Sequence, residues 1–400
     1  MKKQMICLMT ALSLAGASVP AAVSAEVPES ISFTYVNNNG SVVITGYTGS
    51  DTILIIPDTI DGAPVTDIGK NVFTGMNELT AVVIPDTVRS IGERSFSACP
   101  NLSSVTLGKS VSGIGGYAFS ACPKLTSFSV SPDNPTYVYS EGCLTSEKGN
   151  RLVLYAGGPH AVIPQGLRVV TKGAFMGKTD LISVSIPNSV ISLGDYAFSG
   201  CTSLKQAEIP DRVTNIGAGC FMSCSSLSNV KLGTGITEIR DNSFNSCVSL
   251  EDINIPETAT AIRENAFFNC PGLNGIYIPD TVTSMDTQAI GQHFDLRSGS
   301  ISNINDFVLH GEEGSAAETY AGEADLTFRP YLLGDISDDG VVDGTDATLA
   351  LREYSYCMDH PGSTLSKYGR FIADYDKNGA VDGSDATLIL REYGRQLADM

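Results

Sequence analysis

The sequence predicts a mostly β solenoid followed by a small α-helical module. Phenylalanine recurs at one position, at intervals of 23 residues with a single interval of 56, in Phe73, Phe96, Phe119, Phe175, Phe198, Phe221, Phe244 and Phe267. Apolar residues at alternate positions follow each phenylalanine, as in Leu250, Ile253 and Ile255, which is typical of a strand with one buried face. Because such a strand cannot bury its apolar side alone, stacked coils with one strand per 23-residue coil are predicted to share a core. After residue 330 the sequence changes to aspartate-rich loops and helices, which predicts the second module.

One full period extends from Ile186 to Pro210. Its defining residues are Ile186-Pro187, Val190, Leu193-Gly194, Ala197-Phe198, Cys201 and Leu204. Over residues 31–328 this pattern resembles the leucine-rich repeats of the bacterial surface-protein (BspA-like) kind, because many positions match together. The resemblance implies a binding or spacing surface with no chemistry attached.

The formal charge of −19 disfavours nucleic acid and anionic membranes as partners. Residues 1–25 contain Lys2 and Lys3, a short apolar run over 5–17 and the small residues Val23-Ser24-Ala25. This pattern predicts a cleaved secretory signal, and no segment is long enough to insert into a membrane. The predicted organisation is a signal peptide over 1–25, a solenoid with caps over 26–330 and the small module over 331–400.

Ten cysteines in an exported chain would ordinarily indicate disulfides. Six of them share the position three residues after the phenylalanine, namely Cys99, Cys122, Cys201, Cys224, Cys247 and Cys270. Met76 and Lys178 occupy that position in the other two coils. A position that accepts methionine is an apolar packing site, so the spacing predicts a ladder of buried thiols.

Both ends of the solenoid carry predicted caps. Alternating runs over 31–36 and 42–45, joined across Asn37 to Gly40, predict a hairpin over the first coil. At the other end residues 314–321 predict a short helix with Ser315 as its N-cap and Glu318 at the capping-box position. A strand over 326–328 is predicted to follow it.

The 56-residue interval contains an insertion over 131–160. Residues 137–139 and 152–155 predict two strands joined around 147–150, which we expect to project from the side of the stack. Such a loop is either a functional site on a rigid scaffold or a hairpin without a ligand.

No motif of a catalytic site is found in the sequence. One local feature is the run of Arg240-Asp241 and Arg263-Glu264 in adjacent coils, where stacking would place the carboxylates of Asp241 and Glu264 about 5 Å apart. That separation suits a retaining glycosidase, although a solvated ladder of ion pairs is the simpler interpretation. The outward strand positions are polar with one aromatic, and the chain has no tryptophan, so they indicate no ligand.

Two acidic loops follow residue 334. Oxygen ligands at loop positions 1, 3, 5, 9 and 12 around a glycine at position 6 are what a cation of the size of Ca²⁺ requires. In the first loop these are Asp335, Ser337, Asp339, Asp343 and Asp346, with the carbonyl of Val341 at position 7. In the second loop, 39 residues later, they are Asp374, Asp376, Asn378, Asp382 and Asp385, with the carbonyl of Ala380. The spacing predicts two Ca²⁺ ions.

Helices with nearly the same sequence follow the two loops, at 346–354 and 385–393. Over residues 333–397 the pair resembles a dockerin, the module by which exported proteins of anaerobic plant-fibre-degrading bacteria bind a cohesin on a scaffoldin to build a cellulosome. The resemblance implies that the cohesin contacts are Gly344, Thr345 and Arg352 in one copy and Gly383, Ser384 and Arg391 in the other. Their likeness implies two equivalent docking faces. Ser337 stands where the family has Asn or Asp, and the two glycines stand where it often has Ser or Ala, which leaves the type of cohesin open.

Three functional hypotheses follow. The first is a secreted, non-catalytic cellulosome component that docks through calcium-dependent dockerin–cohesin binding and presents its repeats to a protein or glycan in plant polysaccharide degradation. The second is a cell-surface adhesin. The third is a polysaccharide-degrading glycoside hydrolase with its site in the insertion or at Asp241 and Glu264.

Overall fold

A computed structural model describes residues 33–146, 150–337, 339–360, 365, 369, 372–376 and 380–399. The predicted signal peptide and residues 147–149 of the insertion lie outside this range. The strands up to the insertion are β1 (Phe33–Asn38), β2 (Ser41–Tyr47), β3 (Ile53–Ile55), β4 (Thr59–Ile60), β5 (Ala63–Ile68), β6 (Ala81–Ile84), β7 (Ser90–Ile91), β8 (Ser104–Leu107), β9 (Gly113–Ile114) and β10 (Ser127–Val130).

The later elements continue the same alternation. The strands are β11 (Tyr137–Ser140), β12 (Cys143–Ser146), β13 (Arg151–Tyr155), β14 (His160–Val162), β15 (Val169–Val170), β16 (Ser183–Ser185), β17 (Ser192–Leu193), β18 (Gln206–Glu208), β19 (Asn215–Ile216), β20 (Asn229–Lys231), β21 (Glu238–Ile239), β22 (Asp252–Ile253), β23 (Ala261–Ile262), β24 (Gly275–Tyr277), β25 (Ser284–Met285), β26 (Gln292–Asp295), β27 (Ser300–Asn303), β28 (Val308–Gly311) and β29 (Thr327–Pro330). Three longer helices are α1 (Ala316–Ala324), α2 (Gly344–Asp359) and α3 (Gly383–Asp399).

The predicted solenoid is present as two ladders of parallel strands. The long-strand ladder contains one strand from each coil, in the orders β3-β6-β8-β10, β14-β16, β18-β20-β22 and β24-β28-β29. Within it, alternate residues such as Val82 and Ile84 are 1% exposed. The predicted alternation therefore places the apolar side of each strand in the core.

The predicted single strand per coil is wrong, because most coils contain a second, two-residue strand. These strands form the short-strand ladder, in the orders β5-β7-β9, β13-β15-β17-β19 and β21-β23-β25. In β7 the isoleucine Ile91 is 1% exposed while Ser90 is half-buried. Two residues are too few for an alternation of apolar and polar positions to be recognised in the sequence.

The phenylalanine rings stack along the axis of the solenoid. Phe198 and Phe221 lie with ring centroids 5.1 Å apart and planes 3° apart, and the neighbouring rings repeat this arrangement. The six repeat cysteines are buried and form no disulfide, which confirms the predicted ladder of thiols.

The insertion lies within the stack, so the prediction that it projects from the side is wrong. Strands β11, β12 and β13 pair antiparallel, and β13 then pairs in parallel with β15 and extends the short-strand ladder. Leu152 and Tyr155 are buried, and the Tyr155 ring stacks on Phe175 at 4.9 Å. The tyrosine supplies the aromatic ring that the phenylalanine repeat lacks at this level, and this contact holds the insertion in the core.

The predicted N-terminal cap is confirmed. Strands β1 and β2 form an antiparallel hairpin whose turn residues Asn39 and Gly40 have φ values of 53° and 88°, as the asparagine-glycine turn predicts. The rings of Phe33 and Tyr47 contact Phe73 with centroid distances of 6.4 and 5.4 Å. The hairpin thus covers the aromatic ring of the first coil.

The predicted C-terminal cap is confirmed as a helix followed by a strand, α1 and β29. Ser315 is the N-cap and accepts a hydrogen bond from the N–H of Glu318 at 3.4 Å. The Glu318 carboxylate accepts from the N–H of Gly314 at 2.6 Å, one residue before the cap. Tyr320 closes the end of the core, since its hydroxyl donates to the carbonyl of Ile290 at 2.8 Å.

Candidate functional site

The first acidic loop is organised around Asp335, whose side chain is almost buried. Its two carboxylate oxygens accept hydrogen bonds from the N–H groups of Asp339 at 3.1 Å and Gly340 at 2.8 Å. The Ser337 hydroxyl lies 3.4 Å from the same carboxylate. These bonds curl the loop back on its first aspartate and bring three of the predicted ligands together.

Asp346 closes the loop from the first turn of α2. Its carboxylate is fully buried and accepts from the N–H groups of Ser337 and Asp343, both at 2.8 Å. Asp343 is the N-cap of α2 and accepts from the N–H of Thr345 at 2.6 Å. The end of the loop and the start of the helix are therefore one hydrogen-bonded unit.

The second loop repeats this geometry 39 residues later. The buried carboxylate of Asp385 accepts from the N–H groups of Asp376 at 3.1 Å and Asp382 at 2.8 Å. Asp374, Asp376 and Asp385 each offer a carboxylate oxygen within 4.8 Å of the others. The predicted ligand Asn378 lies outside the described residues. Ala380 is described and exposed, as is Val341 in the first loop.

The carboxylates of the loops differ in their electrostatics. Burial raises the pKa of Asp335 and its neighbours Asp346 and Asp339 raise it further, against the lowering effect of the Gly340 and Asp339 N–H groups. At the helix starts the effect is opposite: hydrogen bonds from Thr345 lower the pKa of Asp343. Hydrogen bonds from Ser384 likewise lower the pKa of Asp382.

The donor set of both loops consists of oxygen atoms only. Carboxylates, a hydroxyl and backbone carbonyls are the ligands that a hard cation takes, whereas zinc and copper sites use nitrogen or sulfur. Crowded aspartates repel one another, and a bound cation compensates their charge. The residues present thus fit Ca²⁺ in both loops.

Helices α2 and α3 pack through a small apolar core of Val342, Ala347, Ala350, Ala386 and Ile389. The predicted contact residues lie on the outside of this pair: Thr345 and Arg352 on α2, and Ser384 and Arg391 on α3, are exposed, while Gly344 and Gly383 are half-buried.

Sequence reasoning missed two residues of this surface. Leu351 and Leu390 directly precede the two arginines, and their exposed fractions are 47% and 48%. The sequence does contain a sign of them, because a leucine stands at the same position in both copies, directly before the arginine.

The two carboxylates considered for catalysis line one open cleft of about 890 Å³ beside α1, together with Asp286 and Glu323. The neighbouring arginines pair with other carboxylates than Asp241 and Glu264. Arg240 lies 3.7 Å from Asp195, and Arg263 contacts Glu238 and Asp286. The ion pairs therefore connect coils across the edge of the solenoid, and the cleft itself is acidic.

The model of the BspA type leucine rich repeat region matches six copies in this chain, over residues 56–148 and 168–297. These residues make up more than half of the sequence. The chain belongs to the BspA type leucine-rich-repeat family. The C-terminal loops and helices lie outside the matched residues.

Several solved structures are similar to this BspA type chain. The T. pallidum leucine rich repeat protein is 25% identical, with a TM-score of 0.29, and the match covers 60% of this chain and 87% of that protein. A leucine rich cell surface protein of Faecalibacterium prausnitzii is 25% identical, with a TM-score of 0.31 and coverage of 67% and 94%. A leucine-rich repeat protein of Eubacterium ventriosum is 21% identical, with a TM-score of 0.44 and coverage of 65% and 92%. None of the curated proteins matches the chain.

To cross a bilayer, a helix of this BspA type protein would need about 20 predominantly apolar residues. Within the described part of the chain, no helix combines the length and the apolar character needed to cross a membrane.

Proposed function

We propose that this chain is a secreted, non-catalytic protein that docks onto a scaffold through a calcium-organised C-terminal module and presents its BspA type solenoid to a ligand. The observation that carries the proposal is the repeated loop geometry. Asp346 and Asp385 are both fully buried, and each accepts two hydrogen bonds from backbone N–H groups of its own loop.

The first loop would hold one Ca²⁺ through Asp335, Ser337, Asp339, Asp343 and Asp346 and the carbonyl of Val341. The second would hold another through Asp374, Asp376, Asn378, Asp382 and Asp385 and the carbonyl of Ala380. The ions would neutralise aspartates that otherwise repel one another. Binding of calcium and ordering of the module are then coupled, because a preformed site is rare in an unfolded segment.

The resemblance to dockerins makes a cohesin module the proposed partner. The exposed residues Thr345, Leu351 and Arg352 of α2 would form one docking face. Ser384, Arg391 and Leu390 would form the second, equivalent face. An exposed leucine beside an arginine provides the apolar contact and the cation that interfaces favour.

Calorimetry of the full chain against a panel of cohesins, with calcium and with a chelator, tests this function. We expect binding with calcium only. The substitutions T345A/R352A on one face and S384A/R391A on the other should each leave binding intact, since one face suffices. The two pairs combined should abolish it, while the matched control Arg212→Ala on the solenoid should not. If one of these double substitutions alone abolished binding, the proposal of two equivalent faces would be contradicted.

The solenoid is proposed to be the ligand-presenting part of the chain, with a protein or a glycan as its ligand. A secreted location is proposed from residues 1–25, and attachment to the cell surface would follow from docking. A hydrolysis screen of the full chain on plant polysaccharides tests the non-catalytic part of the proposal. Turnover that is lost on Asp241→Asn or Glu264→Gln would favour the hydrolase hypothesis.

A further inference from the structure

The insertion interrupts the short-strand ladder and opens a second cleft. Strand β9 is the last strand of one sheet, and the next sheet begins with β11 of the insertion. Between them lies a cleft of about 730 Å³. This volume falls within the range of roughly 300 to 1,000 Å³ of small-molecule sites. The cleft arises because the insertion joins the stack without pairing with β9, which leaves a gap in the short-strand ladder.

The charge of the cleft is opposite to that of the chain. Its charged lining residues are Arg151, Lys172, Arg240 and Asp195. Asp195 binds two of the cations, with Lys172 at 2.7 Å and Arg240 at 3.7 Å. Arg151 is exposed and forms no salt bridge with any residue that the structure describes. The lining thus has three cations to one carboxylate in a chain of net charge −19, which favours an anionic ligand.

Tyr117 forms an aromatic wall of this cleft, and Tyr196 packs against its ring. Tyr117 lines it, and the ring of Tyr196 meets the ring of Tyr117 edge-on with centroids 6.2 Å apart. Each ring lies against the glycine of the following coil, because a Cβ on Gly173 would come within 2.5 Å of Tyr117 and one on Gly219 within 2.4 Å of Tyr196. Only glycine leaves room for these rings. Arg94 lies over the Tyr117 ring at 5.0 Å and also pairs with Glu93 at 3.6 Å.

The backbone of both tyrosines is in the left-handed region, with φ values of 61° and 54°. Of the other six coils, three place asparagine at this position, two place glycine and one places Arg94. Asparagine and glycine tolerate this conformation well. Tyrosine is strained there, and strained residues cluster at ligand sites. The two tyrosines therefore occupy a backbone position at which asparagine would be less strained.

The remaining polar side chains of the cleft are hydroxyls and an amide, from Ser112, Ser120, Thr136, Tyr137, Ser146, Thr171, Ser192 and Asn215. Such groups suit a polyhydroxylated ligand, and tyrosine rings pack against the apolar face of a sugar. An acidic peptide adding to the edge of β9 is disfavoured, because this strand has two residues and offers few backbone hydrogen bonds.

We propose that this cleft binds an oligosaccharide that carries carboxylate groups. Arg151 and Arg240 would pair with the carboxylates, and Tyr117, supported by Tyr196, would contact a sugar ring. The proposal rests on the proposed role of the solenoid as the ligand-presenting part. Oligosaccharide binding by the cleft does not involve the calcium module. If the oligosaccharide does not bind, the proposal of cohesin binding is unaffected.

Calorimetry of the full chain in calcium, with tetragalacturonate as the probe and cellotetraose and a glutamate tetrapeptide as comparisons, tests the proposal. We expect tetragalacturonate to bind, and its affinity to fall with salt. Arg151→Gln and Arg240→Gln should each weaken it at least tenfold, as expected for a charged hydrogen bond. Tyr117→Asn should also weaken it, and should fold well because asparagine suits the left-handed backbone. The matched control Arg212→Gln changes the net charge equally at an exposed site and should have no effect.

Equal binding of cellotetraose would overturn the assigned charge of the ligand. Tighter binding of the glutamate peptide would assign the cleft to a protein partner. No binding of tetragalacturonate, or an equal loss from Arg212→Gln, would overturn the site itself. Cohesin binding of the same preparations shows whether the chain is intact.

Discussion

The thiol of Cys224 donates a hydrogen bond to the backbone carbonyl of Phe198, the stacked phenylalanine of the preceding coil, at 3.1 Å. The other five repeat cysteines make the same bond at 3.1 to 3.2 Å, in the pairs Cys99–Phe73, Cys122–Phe96, Cys201–Phe175, Cys247–Phe221 and Cys270–Phe244. A buried carbonyl needs a donor, and cysteine supplies one from a small apolar side chain.

The two exceptions follow the same logic. Met76 belongs to the first coil, and Lys178 belongs to the coil directly after the insertion. Met76 has no phenylalanine coil before it, and the ring that stacks on Phe175 in the coil of Lys178 is Tyr155 of the insertion. Cysteine therefore occupies the position wherever the ring of the preceding level is a phenylalanine of the repeat.

Cys224→Ala should lower the free energy of unfolding by about 1 to 3 kcal/mol, because it removes buried volume and one of the two donors to the Phe198 carbonyl, the other being the N–H of Cys201 at 3.2 Å. The midpoint of urea unfolding of the full chain, followed by circular dichroism, measures the loss. Cys357→Ala is the matched control, since that thiol is exposed on α2, and it should leave the midpoint unchanged. An equal midpoint for both variants would show that the bond contributes nothing.

Stability should decrease in alkaline solution. Burial raises the pKa of Cys224 and of Cys270 to about 12, from an ordinary value of 9.0. In the unfolded chain these thiols ionise near pH 9, while in the folded chain they stay neutral until about pH 12. Unfolding then releases protons, so the contribution of the neutral thiols is complete below pH 9 and is lost as the pH rises towards 12.

The urea midpoint measured from pH 7 to 11 checks this sign. It should be constant up to about pH 8.5 and then fall. Alkylation at pH 8 gives an independent control: of the described cysteines, Cys357 should react in the native protein and the buried thiols only in denaturant. A midpoint that rises above pH 9 would contradict the burial of the ladder.

Tyr155→Ala should destabilise the junction between the insertion and the following coils by about 3 to 5 kcal/mol, as for removal of a buried aromatic ring. Tyr155→Phe is the matched variant, since it keeps the ring on Phe175. It removes only the hydroxyl that donates to the carbonyl of Gly158 at 3.0 Å. That loss should be near 1 kcal/mol. Urea unfolding of the two variants distinguishes the contribution of the ring from that of its hydroxyl. Equal losses of unfolding free energy would mean that the stacking contributes nothing.

The sequence contained the period, the stacked phenylalanines, the buried cysteines and both caps, because each depends on residues at fixed spacing along the chain. It did not show the place of the insertion. Tyr155 stacks on Phe175 although it lies 20 residues before it rather than 23, so a search by period passes over it.

The two kinds of candidate site differ in the same way. The aspartates of each acidic loop lie within twelve consecutive residues, and their spacing alone indicates a cation. The cleft residues Tyr117, Arg151 and Arg240 come from three separate coils or strands. Only the interruption of the short-strand ladder brings them together, and no local pattern records that interruption.

Asp385→Ala should reduce the number of bound calcium ions from two to one. The Asp385 carboxylate is fully buried and accepts from two N–H groups of its loop, so its removal takes away a proposed ligand and the bonds that shape the second loop. The first loop has its own buried aspartate, Asp346, and should still bind. Calorimetric titration of the full chain gives the stoichiometry, with the exposed acid Glu323→Ala as the matched control for lost charge. Two ions bound by Asp385→Ala, or none by the unmodified chain, would remove the second loop from the proposal.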